Sequence, residues 1–469
     1  MCSICGIYNL TSQQKIDASV LAKMQKVLRH RGPDGEDAYV DERIGLGFNR
    51  LAFLDLEGGM QPISNADGSV IMITNGEIYN FKELRKELLD KGYHFKTKTD
   101  VEVVLHLYEE YGEAFPSYLN GQFAAAIYDK RANTLFLARD RIGICPLYYT
   151  FVDGRILFAS EIKAILEYPG VPKKLNLTAV DQLMNFPGVV SPNTFFKGIY
   201  SREAGKMLVC HEDVKKQTFW DLHYLPDEED KGEEYYVERL RELIKQAIAR
   251  RLIADVPIGF YISGGLDSSV VACYIGKFLL ESYYSFSAEI GEGDLDESRF
   301  QKIIAETVTS RHYTTTIREK EIWDNLPSVI YHAESAVKES YDVAAFLLSE
   351  LVSTSEAKAV LTGQGSDEFF YGYVGYMVDM FRNMRKDTMT PGEQEINERL
   401  WGDPYFRFER DHFGIREVHS KLYSKDVWAN IHEFSALNTS PIDTSLVKGL
   451  SHQKRRSYID YRLRLSDHL

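Results

Sequence analysis

The sequence predicts two domains, a mixed α and β amino-terminal half followed by an α/β half organised on a doubly wound parallel sheet. Three observations lead there. A length of 469 residues exceeds one ordinary domain and suffices for two cores that need no disulfide or metal as a staple. In the second half an apolar run gives way to a polar loop after 256–262, again after 285–290 and again after 359–362, the alternation of a parallel sheet with ligands outside the carboxyl ends of its strands. In the first half Ile4, Ile7, Tyr8 and Leu10 form a strand pattern that begins almost at the terminus and buries the start of the chain in a sheet.

Bulk composition narrows the class further. With 44% hydrophobic and 26% charged residues the chain has the balance of a soluble globular protein, and no apolar run is long enough to span a bilayer. A formal net charge of -14 argues against an unspecific grip on nucleic acid. Met1, Cys2 and Ser3 lack the basic start and apolar core of a signal peptide, so a cytoplasmic protein is expected. Five cysteines (Cys2, Cys5, Cys145, Cys210 and Cys273), odd in number and scattered, suit a reducing compartment. Only Cys2 has a special position. If Met1 is removed, Cys2 carries a thiol and an α-amine whose ordinary pKa of about 7.7–8.0 suits a base near neutral pH, so nucleophile and base share one residue.

Residues 29–34 read RHRGPD, a charged turn, and Asn49 and Arg50 lead into a strand-like run over 51–56; the arginines read equally well as solvated surface. A strand over 71–74 is expected to end in a polar turn over 75–80, before a helix over 81–90. This is either a plain strand-turn-helix link or a place where the Asn75 amide and the Gly76 backbone N–H point at one spot, as an oxyanion hole requires. Thr99 or Asp100 is a candidate cap for a helix opening at 99–102.

In the middle of the chain, Pro226 and the acidic run Asp227, Glu228, Glu229 and Asp230 read as an exposed connection. From Glu234, Val237, Leu240, Ile244 and Ile248 recur at helical spacing and lead to the apolar strand over 256–262. Residues 263–269 then read SGGLDSS. Gly264 and Gly265 let the backbone turn tightly and bring amides near an anion, Ser263, Ser268 and Ser269 add hydroxyls, and the helix from Ser268 adds partial positive charge. No lysine follows the glycines, so the loop suits a leaving pyrophosphate rather than transfer of a terminal phosphoryl group, with Asp267 placed for magnesium. The plainer alternative is a strand-to-helix turn whose serine caps the helix. A second strand over 285–290, a helix starting at 296–298 and a third strand over 359–362 ending in GQGSDE complete the sheet. That topology sets Ala288, Thr362 and Gly363 beside Ser263 and Asp367 near Asp267, although Asp367 and Glu368 would equally cap the next helix.

The blocks MCSICGI, RHRGPD, NRLAFLD, TNGEIYN, GQFAAAIYD, ARDRIGICPLYY and FASEIKAI, spanning residues 1 to about 165, resemble a class II glutamine amidotransferase domain. SGGLDSS resembles the loop of the ATP pyrophosphatases that activate carboxylates as adenylates, and the order of all blocks is similar to the glutamine-hydrolysing asparagine synthetase family from Cys2 almost to Leu469. The resemblance implies an α+β N-terminal nucleophile (αββα) sandwich with helices outside two antiparallel sheets, followed by an α/β doubly wound parallel-sheet synthetase domain. Its implied boundaries are 1–205 for the glutaminase domain, 206–233 for the linker and 234–469 for the synthetase domain. It implies Cys2 as nucleophile, Asn75 and Gly76 as oxyanion donors, Arg50 for the glutamine α-carboxylate, and Glu77 and Asp100 around the α-amine. ATP is implied at Ile262, Ser263, Gly264, Gly265, Asp267, Ser268, Ser269, Ala288, Thr362 and Gly363, with Mg2+ on Asp267 and Asp367. The implied chemistry is glutamine hydrolysis, adenylation of an acceptor carboxylate, aspartate by default, and displacement of AMP by ammonia.

Departures from the family are local. Ser3 stands where glycine is usual and Cys145 where many relatives have lysine. Gln364 replaces a glutamate associated with forming the aspartyl adenylate and admitting ammonia; the lost charge and base leave the acceptor open between aspartate and another carboxylic acid. The family continues past the amphipathic pattern of 450–465 into DRMSM-like and PFLD-like blocks and a charge-neutralising lysine, none of which appears before Leu469. The expectation is a competent glutaminase joined to a synthetase domain incomplete at its C-terminus and weak or inactive alone. The apolar face of 450–465 would be left for a homodimer partner or a second chain supplying the missing helices.

Overall fold

The structure, a computed structural model, describes residues 1–224, 230–278, 283–290, 296–383 and 389–466, with backbone only at 382 and 383. Its first half carries β1 (Ser3–Asn9), β2 (Gly35–Val40), β3 (Ile44–Arg50), β4 (Ile63–Ser64), β5 (Val70–Ile78), β6 (Gly121–Asp129), β7 (Thr134–Arg139), β8 (Tyr148–Val152), β9 (Arg155–Ala159), β10 (Ile199–Ser201), β11 (Lys206–Cys210) and β12 (Val214–Thr218). They form two six-stranded sheets, ordered β10-β8-β9-β1-β3-β2 and β12-β11-β7-β6-β5-β4, antiparallel throughout.

The period of two along each strand explains how both faces are buried. On β1, Ile4 and Tyr8 enter the core between the sheets while Cys5 and Ile7 face the helix Ala18–Lys26; on β5, Ile71 and Ile73 point inward while Val70 and Met72 meet the helix Glu102–Tyr111. The result is the four-layer αββα sandwich expected.

In the second half, β13 (Ile258–Tyr261), β14 (Tyr284–Ile290), β15 (Arg311–Ile317) and β16 (Ala359–Leu361) form a parallel sheet in the order β15-β14-β13-β16. One face packs Phe260 and Ile262 against Ile248, Ala272, Ile275, Ala305 and Val308, which lie on the helices Glu233–Arg251, Leu266–Phe278 and Ser298–Val308. The helices Glu319–Ala333 and Tyr341–Ser353 cover the other face through Val329, Val343 and Leu347. The chain order reverses between β13 and β16, so the switch-point crevice lies between the loops that follow these two strands.

Several expectations are corrected. Residues 51–56 are a loop, because their backbone serves Arg50 and Cys2 instead of a neighbouring strand. The supposed turn at 75–78 continues β5, with Asn75 opposite Ala124 and Gly76 opposite Phe123. Neither Thr99 nor Asp100 caps the next helix, which starts after Val101 without a side-chain cap. Residues 206–218, assigned to the linker, are β11 and β12 of the second sheet, so the sandwich extends to Thr218; the acidic residues 227–229 lie outside the described residues. The helix Leu266–Phe278 begins two residues before Ser268. β15 had no counterpart in the sequence reading. On the helix Glu233–Arg251, Ile248 is buried but Val237 is exposed.

The apolar face of 450–465 is not left open. The helix His452–Asp460 and the wider turn Tyr461–Leu465 bury Tyr458, Ile459, Tyr461 and Leu463 in a core shared with Phe186, Val190, Leu400 and Trp401, and Trp220 and Tyr224 pack against it. The polar side is buried as well, since Arg456 pairs with Asp379 and with Asp460. This core joins the two halves.

Candidate functional site

The first site forms where β1 and β3 pair. Ser3 lies opposite Asn49, which brings Cys2 to the end of β3 and the loop after it. The Leu51 N–H donates to Cys2 Sγ at 3.3 Å and the Leu51 carbonyl lies 3.6 Å from the thiol. Burial raises the Cys2 pKa, opposed by the Leu51 amide and the nearby α-amine, so the thiol needs a base to ionise. The α-amine of Met1 is lowered by burial and by the charge of Arg31. Arg31 Nε donates to the Cys2 carbonyl at 3.3 Å, and its Nη1 meets Glu161 at 3.0 Å.

Across the sandwich, β5 carries Asn75, Gly76 and Glu77 in sequence. Asn75 is wholly buried, yet neither its Nδ2 nor its Oδ1 has a hydrogen-bond partner in the protein. Buried amides are normally paired, so a side chain with both amide atoms unpartnered is an exception. Gly76 has φ +151, and a Cβ there would lie 2.0 Å from the Gln122 carbonyl oxygen on β6, which restricts the position to glycine. Glu77 is raised well above the usual carboxylate range by burial and by Asp100, and burial pushes Asp100 up to about 6 even though its carboxylate accepts the Ile78 N–H. Burial thus favours protonation within this pair of carboxyls, which lies close enough to Cys2 for the Glu77 charge to oppose ionisation of the thiol.

Arg50 differs from the expectation in its engagement: its guanidinium donates to the carbonyls of Leu54, Asp55 and Leu56. It therefore holds the loop in shape and has part of its donor capacity left for a carboxylate. Of the two departures nearby, Ser3 Oγ contacts the Leu28 carbonyl at 3.5 Å, and the buried Cys145 Sγ lies 3.9 Å from the Met1 sulfur. The structure thus brings Cys2, Arg50, Glu77 and Asp100 into one electrostatic neighbourhood, with Asn75 and Gly76 on the strand beside it.

The second site is the crevice at the carboxyl ends of β13, β14 and β16. Gly264 turns the chain with φ +91, and the serines sew the loop: Ser268 Oγ accepts the Ser263 N–H at 3.2 Å and lies 2.9 Å from Ser263 Oγ, and Ser269 Oγ donates to the Gly265 carbonyl at 2.6 Å. Gly363 packs so closely that a Cβ there would lie 3.0 Å from Asp267 Cβ, which sets the loop after β16 directly against the loop after β13. Ser287 Oγ donates to the Ile262 carbonyl at 2.7 Å, fixing the approach to the loop. The Gln364 N–H donates to Thr362 Oγ1 at 3.4 Å, leaving the Gln364 side chain exposed at the mouth of the crevice. Asp267 is raised by burial and by the charges of Asp367 and Glu368, so negative charge collects here. Glu368 is buried and accepts the Tyr373 hydroxyl at 2.6 Å. Among the described residues, no three His, Cys, Asp or Glu side chains gather closely enough to hold a metal ion unaided.

Two residues escaped the sequence reading. Gln301 Nε2 donates to the carbonyls of Ala288 at 3.0 Å and Ser263 at 3.5 Å, while its buried Oε1 is without a partner. Glu161 accepts from Arg31, His30 and Lys163 behind Cys2. Gln301 offers no sequence signal. Glu161 and Lys163 sit in the FASEIKAI block, where charge within an apolar run could have marked them.

A glutamine amidotransferase domain model matches residues 1–220 and an asparagine synthase model residues 239–469. The chain is 32% identical to glutamine-hydrolysing asparagine synthetase 1 of Bacillus subtilis, over 80% of this chain and 59% of that one. It is 31% identical to the second such synthetase of the same organism, over 91% of this chain and 60% of that protein. It is also 32% identical to the amidase chry2 of Gibberella zeae, over 75% of this chain and 55% of that one. The chain thus spans less than two thirds of the length of each of these relatives. Among the described residues no helix is long and apolar enough to cross a membrane.

Proposed function

Since the chain belongs to the family that joins a glutamine amidotransferase domain to an asparagine synthase domain, we propose that it is an ATP-dependent carbon–nitrogen ligase with glutamine as its amido donor. The sandwich through Thr218 is the glutamine-hydrolysing unit, and the chain from the helix Glu233–Arg251 onward is the ATP-using unit. The observation that carries the reading is the unpartnered, buried Asn75 amide on the strand facing the Cys2 thiol.

In this reading Cys2 attacks the side-chain carbonyl carbon of glutamine, the α-amine freed by removal of Met1 takes the thiol proton and returns it to the leaving ammonia, and water then hydrolyses the Cys2 thioester to release glutamate. Asn75 Nδ2 and the Gly76 N–H receive the developing oxyanion. Arg50 binds the α-carboxylate and the Glu77–Asp100 pair binds the α-ammonium group. In the second unit, residues 262–269 receive the pyrophosphate, and Ala288, Thr362 and Gly363 line the place of adenosine. Asp267 and Asp367 are the residues that would hold a magnesium ion, which would supply charge neutralisation for the phosphates, since magnesium commonly binds through one or two carboxylates and substrate phosphates. Asp267 is raised first by burial and then by the charges of Asp367 and Glu368, and a cation would relieve this second contribution. Ammonia then displaces AMP from the acyl adenylate.

Aspartate is the default acceptor. The neutral, exposed Gln364 favours a second reading in which the acceptor is a different carboxylic acid, and the resemblance to an amidase is consistent with it. The test is to follow glutamate, AMP, pyrophosphate and amide together on the purified chain and on Asp267→Asn, with a panel of carboxylic acids. Glutamate release that persists in Asp267→Asn while AMP and amide formation disappear supports the assignment. Adenylation that survives the substitution unchanged contradicts it.

A further inference from the structure

We infer that Asp255 and Lys358 are positioning residues through which the second half of the chain sets the loop of residues 51–58 against Cys2. The inference rests on the reading of Cys2 as nucleophile. It concerns the loop that supplies both thiol contacts, Leu51 N–H and carbonyl, and the three carbonyls that hold Arg50. A loop without ladder hydrogen bonds keeps such geometry only if something outside it fixes the backbone.

The fixing groups lie mainly in the other half. The Asp255 N–H donates to the Phe53 carbonyl at 3.0 Å, and the Asp55 N–H donates to Asp255 Oδ2 at 2.8 Å, a two-point grip on residues 53 and 55. One residue earlier, the Ala52 N–H donates to Asp34 Oδ2 at 2.8 Å, and Lys358 Nζ holds that same carboxylate at 3.1 and 3.2 Å. From its own half, the loop is tied by the Lys98 N–H on Asp55 at 2.9 Å.

Asp255 and Lys358 are themselves one unit. The Lys358 N–H donates to the Pro257 carbonyl at 3.1 Å, where β13 and β16 start side by side with Ile258 opposite Ala359. The opposite ends of these two strands carry Ser263 and Gly363. A single short sheet therefore grips the Cys2 loop at one end and presents both nucleotide loops at the other. Asp34 and Lys358 are 28% and 40% exposed, so their ion pair adds little to stability and its consequence is geometric. Displacement of the loop would move the thiol contacts and the Arg50 carbonyls together, and misplacement by about 1 Å can cost up to about 10²-fold in an enzyme step.

The test uses the full chain with Asp255→Ala, Asp255→Asn and Lys358→Met. Two quantities are measured: the rate of Cys2 alkylation by iodoacetamide, read by peptide mass spectrometry, and KM and kcat for glutamate release. Asp255→Ala is expected to speed Cys2 alkylation about fivefold and to lower kcat/KM for glutamate release by at least about the same factor, through KM as Arg50 moves and through kcat as the thiol contacts move. Asp255→Asn still offers an oxygen to the Asp55 N–H and should behave as wild type. Lys358→Met leaves the Asp34–Ala52 bond and should shift both quantities about twofold. Buried Cys5 and Cys210 should stay unlabelled, which excludes general unfolding. Unchanged Cys2 labelling in Asp255→Ala and Lys358→Met, or an Asp255→Asn variant as perturbed as Asp255→Ala, would overturn the inference. A labelling response in a chain that releases no glutamate would sink the nucleophile assignment and leave the positioning intact.

Discussion

Replacing Asn75 by leucine separates what this residue does for the fold from what it does for chemistry. Its side chain is wholly buried on β5 with both amide atoms unpartnered. A buried amide side chain left without partners costs about 1–3 kcal/mol of desolvation, and an apolar group of similar shape removes that cost. Asn75→Leu should therefore stabilise the sandwich by about 1–3 kcal/mol. Amide hydrogen exchange of β5 and β6 reports the sandwich alone, and this gain corresponds to about 5- to 150-fold slower exchange at residues that open with the global transition. The same substitution removes the proposed oxyanion donor and should lower the turnover of glutamine hydrolysis by about 10²–10³. Stability and activity thus move in opposite directions, which a merely structural asparagine would not allow. A variant less stable than wild type by more than about 1 kcal/mol, or one with unchanged hydrolysis, would refute the reasoning.

Three further outcomes follow from the geometry. Burial works to raise the Glu161 carboxyl, but the His30 bond, the Arg31 charge and Lys163 outweigh it and hold it down to about 2. The group ordinarily titrates near 4.5, so this stabilisation, about 3 kcal/mol, is present above pH about 4.5 and lost as pH falls toward 2. Glu161→Gln should lose it at pH 7 and progressively less toward pH 2.5 in urea denaturation, and an equal loss at both pH values would contradict this. Burial raises Asp100 to about 6 and also raises Glu77, so protonation of Asp100 below about pH 6 removes charge from the pair proposed to bind the glutamine ammonium group. KM for glutamine should rise about tenfold per pH unit below pH 6, and a KM flat between pH 5 and 7 would count against the pair. Finally, Gln364→Glu should improve aspartate-dependent formation of AMP, while efficient aspartate amidation by the wild type would show that the glutamine does not set acceptor choice.

Elements built from local pattern were legible in the sequence. β1 and β13 read correctly because their apolar residues are buried on both faces, and residues 263–269 announce a tight turn before a helix by composition alone. Elements defined by distant partners were not. Leu51, Ala52, Phe53 and Leu54 have strand-like letters, but their backbone partners are Cys2, Arg50, Asp34 and Asp255, none of which the local pattern reveals. Asn75, Gly76 and Glu77 have turn-like letters, yet β6 stays paired with them, and Gly76 is the residue that lets Gln122 approach. β15 reads RHYTTTI, an edge strand with a polar outward face that gives little apolar signal. The pattern of 450–465 was amphipathic on paper, but Arg456 is neutralised within the core by Asp379 and Asp460, so both its faces are buried. The roles of Cys2 and Asn75 were suggested by their chemistry and by resemblance, that of Asp100 by resemblance alone; the unpartnered amide and the raised carboxyl pair belong to tertiary structure and have no signature in the chain.

The central claim is that Cys2 is the nucleophile of glutamine hydrolysis, and it is tested most directly by glutamate release from glutamine by the purified chain and by Cys2→Ala, with the mature amino terminus identified by mass spectrometry. The account predicts a wild type that begins at Cys2 and releases glutamate, and a Cys2→Ala chain that binds glutamine without hydrolysing it. Hydrolysis by Cys2→Ala at the wild-type rate, or full activity in a chain that retains Met1, would contradict it.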